Sequence, residues 1–79
     1  FPTMPLEVEV TSLEQLKEAL GEKAEWIMLD NMSPSTVKEA VQLIDGRAFT
    51  EISGGVTLQN LSSYLIPGVD AISIGALTH

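Results

Sequence analysis

The sequence predicts an α/β fold of parallel strands, a (β/α) half-barrel of about four strands and three helices. Three observations predict it. Short β-like runs alternate with amphipathic helical runs, the ends of the β-like runs recur at a nearly fixed interval, and small or polar residues gather at those ends. The alternation matters because a strand followed by a helix returns the chain to the starting side of the sheet, so that the next strand runs parallel.

The first strand is expected over Leu6 to Val10. A helix follows from about Leu13 to Leu20: Ser12 with Gln15 three residues later makes a capping box, Leu13, Leu16 and Leu20 form one apolar stripe, and Gly21 stops it. The second strand, Trp26 to Asp30, leads into Ser33 and Pro34, an N-cap followed by proline at the first helical position, where its missing N–H costs nothing. Val37, Ala40, Val41 and Ile44 then share a helix face, and Asp45 with Gly46 ends that helix. Phe49 to Ser53 is the third strand. Thr57 is expected to cap a third helix carrying Leu58, Leu61 and Leu65, broken by Pro67 and Gly68 before a fourth strand over Ala71 to Ile74.

The strand ends Glu9, Asp30, Ser53 and Gly75 lie 21, 23 and 22 positions apart, the length of one compact βα unit. Eight such units close a barrel of about 250 residues. Four units in 79 residues therefore read as a fragment of a TIM-like barrel, or as one piece of a larger assembly, with two sheet edges left unpaired.

Composition excludes several classes. With no cysteine there is no disulfide, and the single His79 has no second imidazole or thiolate with which to form a structural zinc site. The chain is 44% hydrophobic and 19% charged, without an apolar run near the roughly 18 residues of a membrane span and without a basic, signal-like start. A cytoplasmic location is the expectation. A net charge of −7, with Lys17, Lys23, Lys38 and Arg47 the only cations, argues against nucleic acid or an anionic membrane as partner.

Strand parity points to the chemistry. Successive side chains of a strand alternate between faces, so Leu6, Val8 and Val10 share one face and Glu7 and Glu9 the other. With helices on the apolar face, both glutamates point into the barrel interior; a half-exposed edge strand with solvated glutamates gives the same pattern. Asp30, Ser53 and Gly75 fall at C-terminal strand ends, where barrel enzymes place their sites, although Asp30 with Asn31 also suits a plain turn before Ser33. In Ser53-Gly54-Gly55-Val56-Thr57, two glycines before a helix N-terminus let backbone N–H groups approach a phosphate, aided by the helix dipole. Ser73-Ile74-Gly75-Ala76 follows one unit later and suits the same anion.

Glu7-Val8-Glu9-Val10, Met28-Leu29-Asp30-Asn31-Met32, Ser53-Gly54-Gly55-Val56-Thr57-Leu58 and the run Gly68 to His79 occur in an order and at a spacing that resemble the quinolinate phosphoribosyltransferases, also called nicotinate-nucleotide pyrophosphorylases. The likeness runs from about Leu6 to His79. It implies that residues 1–79 form the C-terminal portion of the phosphoribosyltransferase α/β-barrel domain, with the N-terminal domain and first half of the barrel absent.

The family is a nicotinate-nucleotide diphosphorylase (carboxylating), a pentosyltransferase of NAD biosynthesis. It converts quinolinate and phosphoribosyl pyrophosphate to nicotinate mononucleotide, pyrophosphate and CO2 with Mg²⁺. By resemblance, Glu9 and Asp30 meet the ribose hydroxyls and the metal, directly or through water, as catalytic residues; Ser53, Gly54, Gly55 and Gly75 hold the 5′-phosphate. Glu7, two residues deeper than Glu9, is read as a supporting group, Thr57 as a helix cap, Trp26, Met28 and Met32 as packing, and His79 is assigned no role.

The resemblance further implies a homodimer or higher homo-oligomer for the full-length enzyme. It also sets a limit. Two carboxylates on quinolinate require several cations, best supplied by arginine forks, and Arg47 lies in a loop on the side of the barrel away from the strand ends. In the family those basic residues come from the first half of the barrel, so this chain alone is expected to be inactive. Two other readings stay open at this point: a non-catalytic half-barrel fragment, and a molybdenum-transport-associated relative with a different acceptor.

Overall fold

The computed structural model describes residues 4–75, which form one four-stranded parallel sheet with helices on one face. The strands run in sequence order, β1 (Glu7–Val10), β2 (Trp26–Asp30), β3 (Phe49–Ser53) and β4 (Ala71–Ile72), with α1 (Leu13–Gly21) and α2 (Pro34–Ile44) as the first two crossovers. Adjacent pairing of successive strands through crossovers is the connectivity of a (β/α) barrel wall, so the half-barrel is the fold. His79 and Ala76 lie outside the described residues.

Local chemistry explains both helices. Ser12 Oγ accepts from Gln15 N at 3.1 Å, while Gln15 Oε1 accepts in return from Thr11 N at 2.7 Å, one residue earlier than the capping box expects. Gly21 is the last residue of α1 rather than the first beyond it. Ser33 Oγ caps α2 through Thr36 N at 3.3 Å, with Pro34 as its first residue, and Asp45 ends the helix in the left-handed region. Arg47 then closes the C-terminus: Nη2 donates to Leu43 O at 2.7 Å and Nε to Ile44 O at 3.1 Å. A cation on the last carbonyls complements the helix dipole.

The core lies between the helices and the facing side of the sheet. Val10, Ile27, Leu29 and Ile52 from the strands meet Leu16, Ala19, Val37, Ala40 and Ile44 from the helices, all buried. Each strand gives this layer every second residue, which is the parity read from the sequence.

The third helix is a correction. The segment after β3 is irregular and holds only a single 3₁₀ turn, Leu61–Tyr64, while Leu58 and Leu65 are exposed rather than part of a buried stripe. Asn60 is the physical reason. Its side chain accepts from Thr57 N at 2.7 Å and donates to Gly55 O at 2.8 Å, its own N–H donates to Thr57 Oγ1, and Ser62 and Ser63 follow. Side chains that bond nearby backbone compete with helix, and here they hold a turn. Thr57 caps that turn, not an α-helix. The buried Tyr64 anchors the segment by donating to Met32 O at 2.9 Å.

β4 is also shorter than expected, two residues instead of four. Its ladder is extended by main-chain bonds beyond the strand, Asp70 N to Thr50 O and Ser73 N to Ile52 O, both at 2.8 Å. Asp70 Oδ2 adds a bond from Thr50 N, also 2.8 Å.

Candidate functional site

The face of the sheet opposite the helices is open and carries the polar residues of alternate parity. Register arranges them in layers. Glu7, Trp26 and Phe49 pair at the bottom, Glu9, Met28, Glu51 and Ala71 in the middle, and Asp30 with Ser53 at the C-terminal ends. Glu7, Glu9, Trp26, Met28 and Glu51 together line a shallow depression on this face. Glu7 and Glu9 are exposed on an edge strand. The interior-facing orientation and the solvated-edge reading thus describe one arrangement, because nothing among the described residues covers this face.

At the C-terminal rim, Asp30, Asn31, Ser53, Gly54 and Gly55 come together tightly. Asn31 N donates to Ser53 O at 2.8 Å, locking the two loops at their roots. Asn31 has φ +57°, and Gly54 and Gly55 both have φ +78°, so the chain turns sharply after each strand. A Cβ on Gly54 would lie 2.8 Å from Asp30 Oδ1, and one on Gly55 would lie 3.2 Å from Asn31 Oδ1. A side chain at Gly54 is thus disfavoured by the left-handed backbone and would have to displace the Asp30 carboxylate. The cap of α2 is Ser33, which leaves Asp30 aligned with Ser53 on the open side rather than spent on that turn.

Two expectations about the rim change. No α-helix starts behind Gly54-Gly55, so no helix dipole is directed at this loop. The Gly75 amide donates to Val56 O at 3.3 Å, so Gly75 joins the two loops through its backbone and is not a free donor.

Glu9 lies one layer below Asp30, and with it the structure adds a residue the sequence reading missed. Glu51 is half-buried in the same layer as Glu9, its Oε1 accepting from Trp26 Nε1 at 3.2 Å and its Oε2 from Ser73 Oγ at 2.5 Å. The signal was present: Glu51 has the parity of Ser53, and a carboxylate in mid-strand is as unusual there as at Glu9. Trp26 is accordingly more than packing; it stacks obliquely on Phe49, with centroids 4.5 Å apart, while donating to Glu51.

Among the described residues no three His, Cys, Asp or Glu side chains converge as a metal cage. Glu9 and Asp30 offer hard oxygen donors, which suit a Mg²⁺ that keeps most of its waters and takes one or two carboxylates together with substrate phosphates. Arg47 sits on the C-terminus of α2, at the opposite end of the strands from Asp30 and Ser53. No helix among the described residues is long and apolar enough to cross a membrane.

Sequence comparison identifies the fold's relatives. All of residues 1–79 match the family described as quinolinate phosphoribosyl transferase, C-terminal domain. The chain belongs to this family. A nicotinate-nucleotide pyrophosphorylase (carboxylating) of Mycobacterium leprae is 49% identical over 81 residues, covering 99% of this chain and 28% of that protein. A probable nicotinate-nucleotide pyrophosphorylase (carboxylating) of Methanocaldococcus jannaschii is 44% identical over 84 residues, covering 98% and 30%. Among solved structures, NadC from Streptococcus pyogenes superposes with TM-score 0.82 at 40% identity, over 95% of this chain and 26% of that one. The chain thus spans under a third of the length of the relatives it matches.

Proposed function

We propose that this chain is the C-terminal part of the barrel domain of a quinolinate phosphoribosyltransferase, and that it holds the phosphoribosyl group. The reaction is that of a nicotinate-nucleotide pyrophosphorylase: quinolinate and phosphoribosyl pyrophosphate give nicotinate mononucleotide, pyrophosphate and CO2. The observation that carries the reading is the close approach of Gly54 to Asp30, where a Cβ would lie 2.8 Å from Oδ1, so that a glycine turn and a hydroxyl acceptor stand side by side at two adjacent strand ends.

In this reading Asp30 and Glu9 accept hydrogen bonds from the ribose hydroxyls, and their charge stabilises the cation that develops at the anomeric carbon as pyrophosphate leaves. Ser53, Gly54 and Gly55 contribute the hydroxyl and the turn that surround the 5′-phosphate, and Gly75 holds the loops together. Glu9 and Asp30 would also hold Mg²⁺, which neutralises the pyrophosphate when bound. The basic residues for quinolinate, and a homo-oligomeric assembly, belong to the rest of the protein.

Isothermal titration of this chain with phosphoribosyl pyrophosphate and Mg²⁺ tests the assignment. Saturable binding that Gly54→Ala abolishes is expected. Absence of binding at millimolar ligand would overturn it, and pyrophosphate release with quinolinate added would show that the chain needs no other part.

A further inference from the structure

β4 is the weakest strand of the sheet, yet it carries the Gly75 loop that closes the rim. Only Ala71 and Ile72 belong to it, paired with Glu51 and Ile52. Side chains compensate at both ends: the Asp70 carboxylate takes the Thr50 amide at the N-terminal end, and Ser73 Oγ donates to Glu51 at the C-terminal end, on the open face. Two residues beyond that hydroxyl, the Gly75 amide reaches Val56 O at 3.3 Å, a long bond that is weak alone.

We propose that Glu51 is a positioning residue for the phosphoribosyl site. Its carboxylate ties Trp26 on β2 to Ser73, just beyond β4, across β3, and so holds Ser73-Ile74-Gly75 against the Gly54-Gly55 loop. Geometry supports the division of labour between the two oxygens. Oε2 makes a short, charge-assisted bond to the serine hydroxyl, while Oε1 is fixed by an indole N–H that can only donate. Both oxygens thus hold protein groups, which distinguishes Glu51 from Glu9 in the same layer. The inference rests on the rim being the phosphoribosyl site, but the tie itself can be read without ligand.

Glutamine separates positioning from charge. Its carbonyl can accept from Trp26 and its amide can donate to the Ser73 oxygen, so Glu51→Gln keeps the tie and loses the charge. Affinity for phosphoribosyl pyrophosphate with Mg²⁺ is expected to fall about tenfold in Glu51→Ala and in Ser73→Ala, no further in the double variant, and less than about threefold in Glu51→Gln. Glu51→Gln as damaging as Glu51→Ala, with Ser73→Ala near the parent, would overturn the proposal in favour of direct contact with ligand. A ligand-free readout stands beside it: amide hydrogen exchange at Gly75 should quicken in Glu51→Ala and Ser73→Ala, and emission of the single tryptophan, Trp26, should shift in Glu51→Ala but not in Ser73→Ala. Unchanged Gly75 exchange in both variants would overturn the proposal. Should the parent chain bind no ligand, the proposed function falls, and the exchange result still decides the role of Glu51. Ser73 is exposed, so its alanine variant is expected to fold if Glu51→Ala does not.

Discussion

The two faces of one sheet follow different rules. On the helix side Ile27, Leu29 and Ile52 have 0% exposure and Val10 1%, and the buried hydroxyl there, Thr50, donates to Ala48 O. On the other side the same strands carry Glu7, Glu9, Asp30, Glu51 and Ser53, with Trp26 and Met28 half-buried between them. Apolar burial stabilises the fold through the first face, whereas the second leaves its carboxylates within reach of solvent and ligand. Under the proposed function, stability and binding fall to alternate residues of the same strands, which makes the separation testable one position at a time.

The largest effect belongs to the covered face. Ile27→Ala removes a fully buried side chain from the centre of the core and should destabilise by about 2–5 kcal/mol, enough to unfold a domain of this size; thermal or urea unfolding followed by circular dichroism would measure it. An unchanged midpoint would mean that the helices do not pack on this side. Gly54→Ala comes next, at the edge where the faces meet. Holding alanine at φ +78° costs about 1–2 kcal/mol, and the added methyl must displace the Asp30 carboxylate 2.8 Å away. Loss of ligand binding by a chain that still melts cooperatively is the expected outcome.

Most of this comparison was legible in the sequence because parity and capping are local. β2 and β3 match the expected ends, since Trp26 to Asp30 and Phe49 to Ser53 alternate cleanly between turn-forming neighbours. Asp30, Ser53 and Gly54 do meet at one rim. What failed depended on competition and on distance. Leu58, Leu61 and Leu65 have helical spacing, but Asn60 and the two serines spend their hydrogen bonds on a turn, so the pattern does not become a helix. Glu51 was overlooked because its importance lies in Trp26 and Ser73, 25 and 22 residues away, and no local pattern links the three.

A smaller effect on stability, but a clear one on binding, is expected at Glu9→Gln. The side chain is exposed, so unfolding should shift by no more than about 0.5 kcal/mol, while affinity for phosphoribosyl pyrophosphate with Mg²⁺ falls about tenfold. Equal loss of both would place Glu9 with the structural residues and break the division between faces.

Arg47→Ala tests the comparison from the other end of the molecule. The guanidinium binds the last carbonyls of α2, at the opposite end of the strands from the rim. Its removal should cost about 0.3–1 kcal/mol through the helix terminus and leave phosphoribosyl pyrophosphate affinity unchanged. Because it is the chain's one arginine, it is also the cation best suited by shape to bind a dicarboxylate. If titration instead showed a matching loss of affinity for quinolinate, recognition of the acid would have to be sought on the helix side of this chain rather than in the residues that complete the barrel.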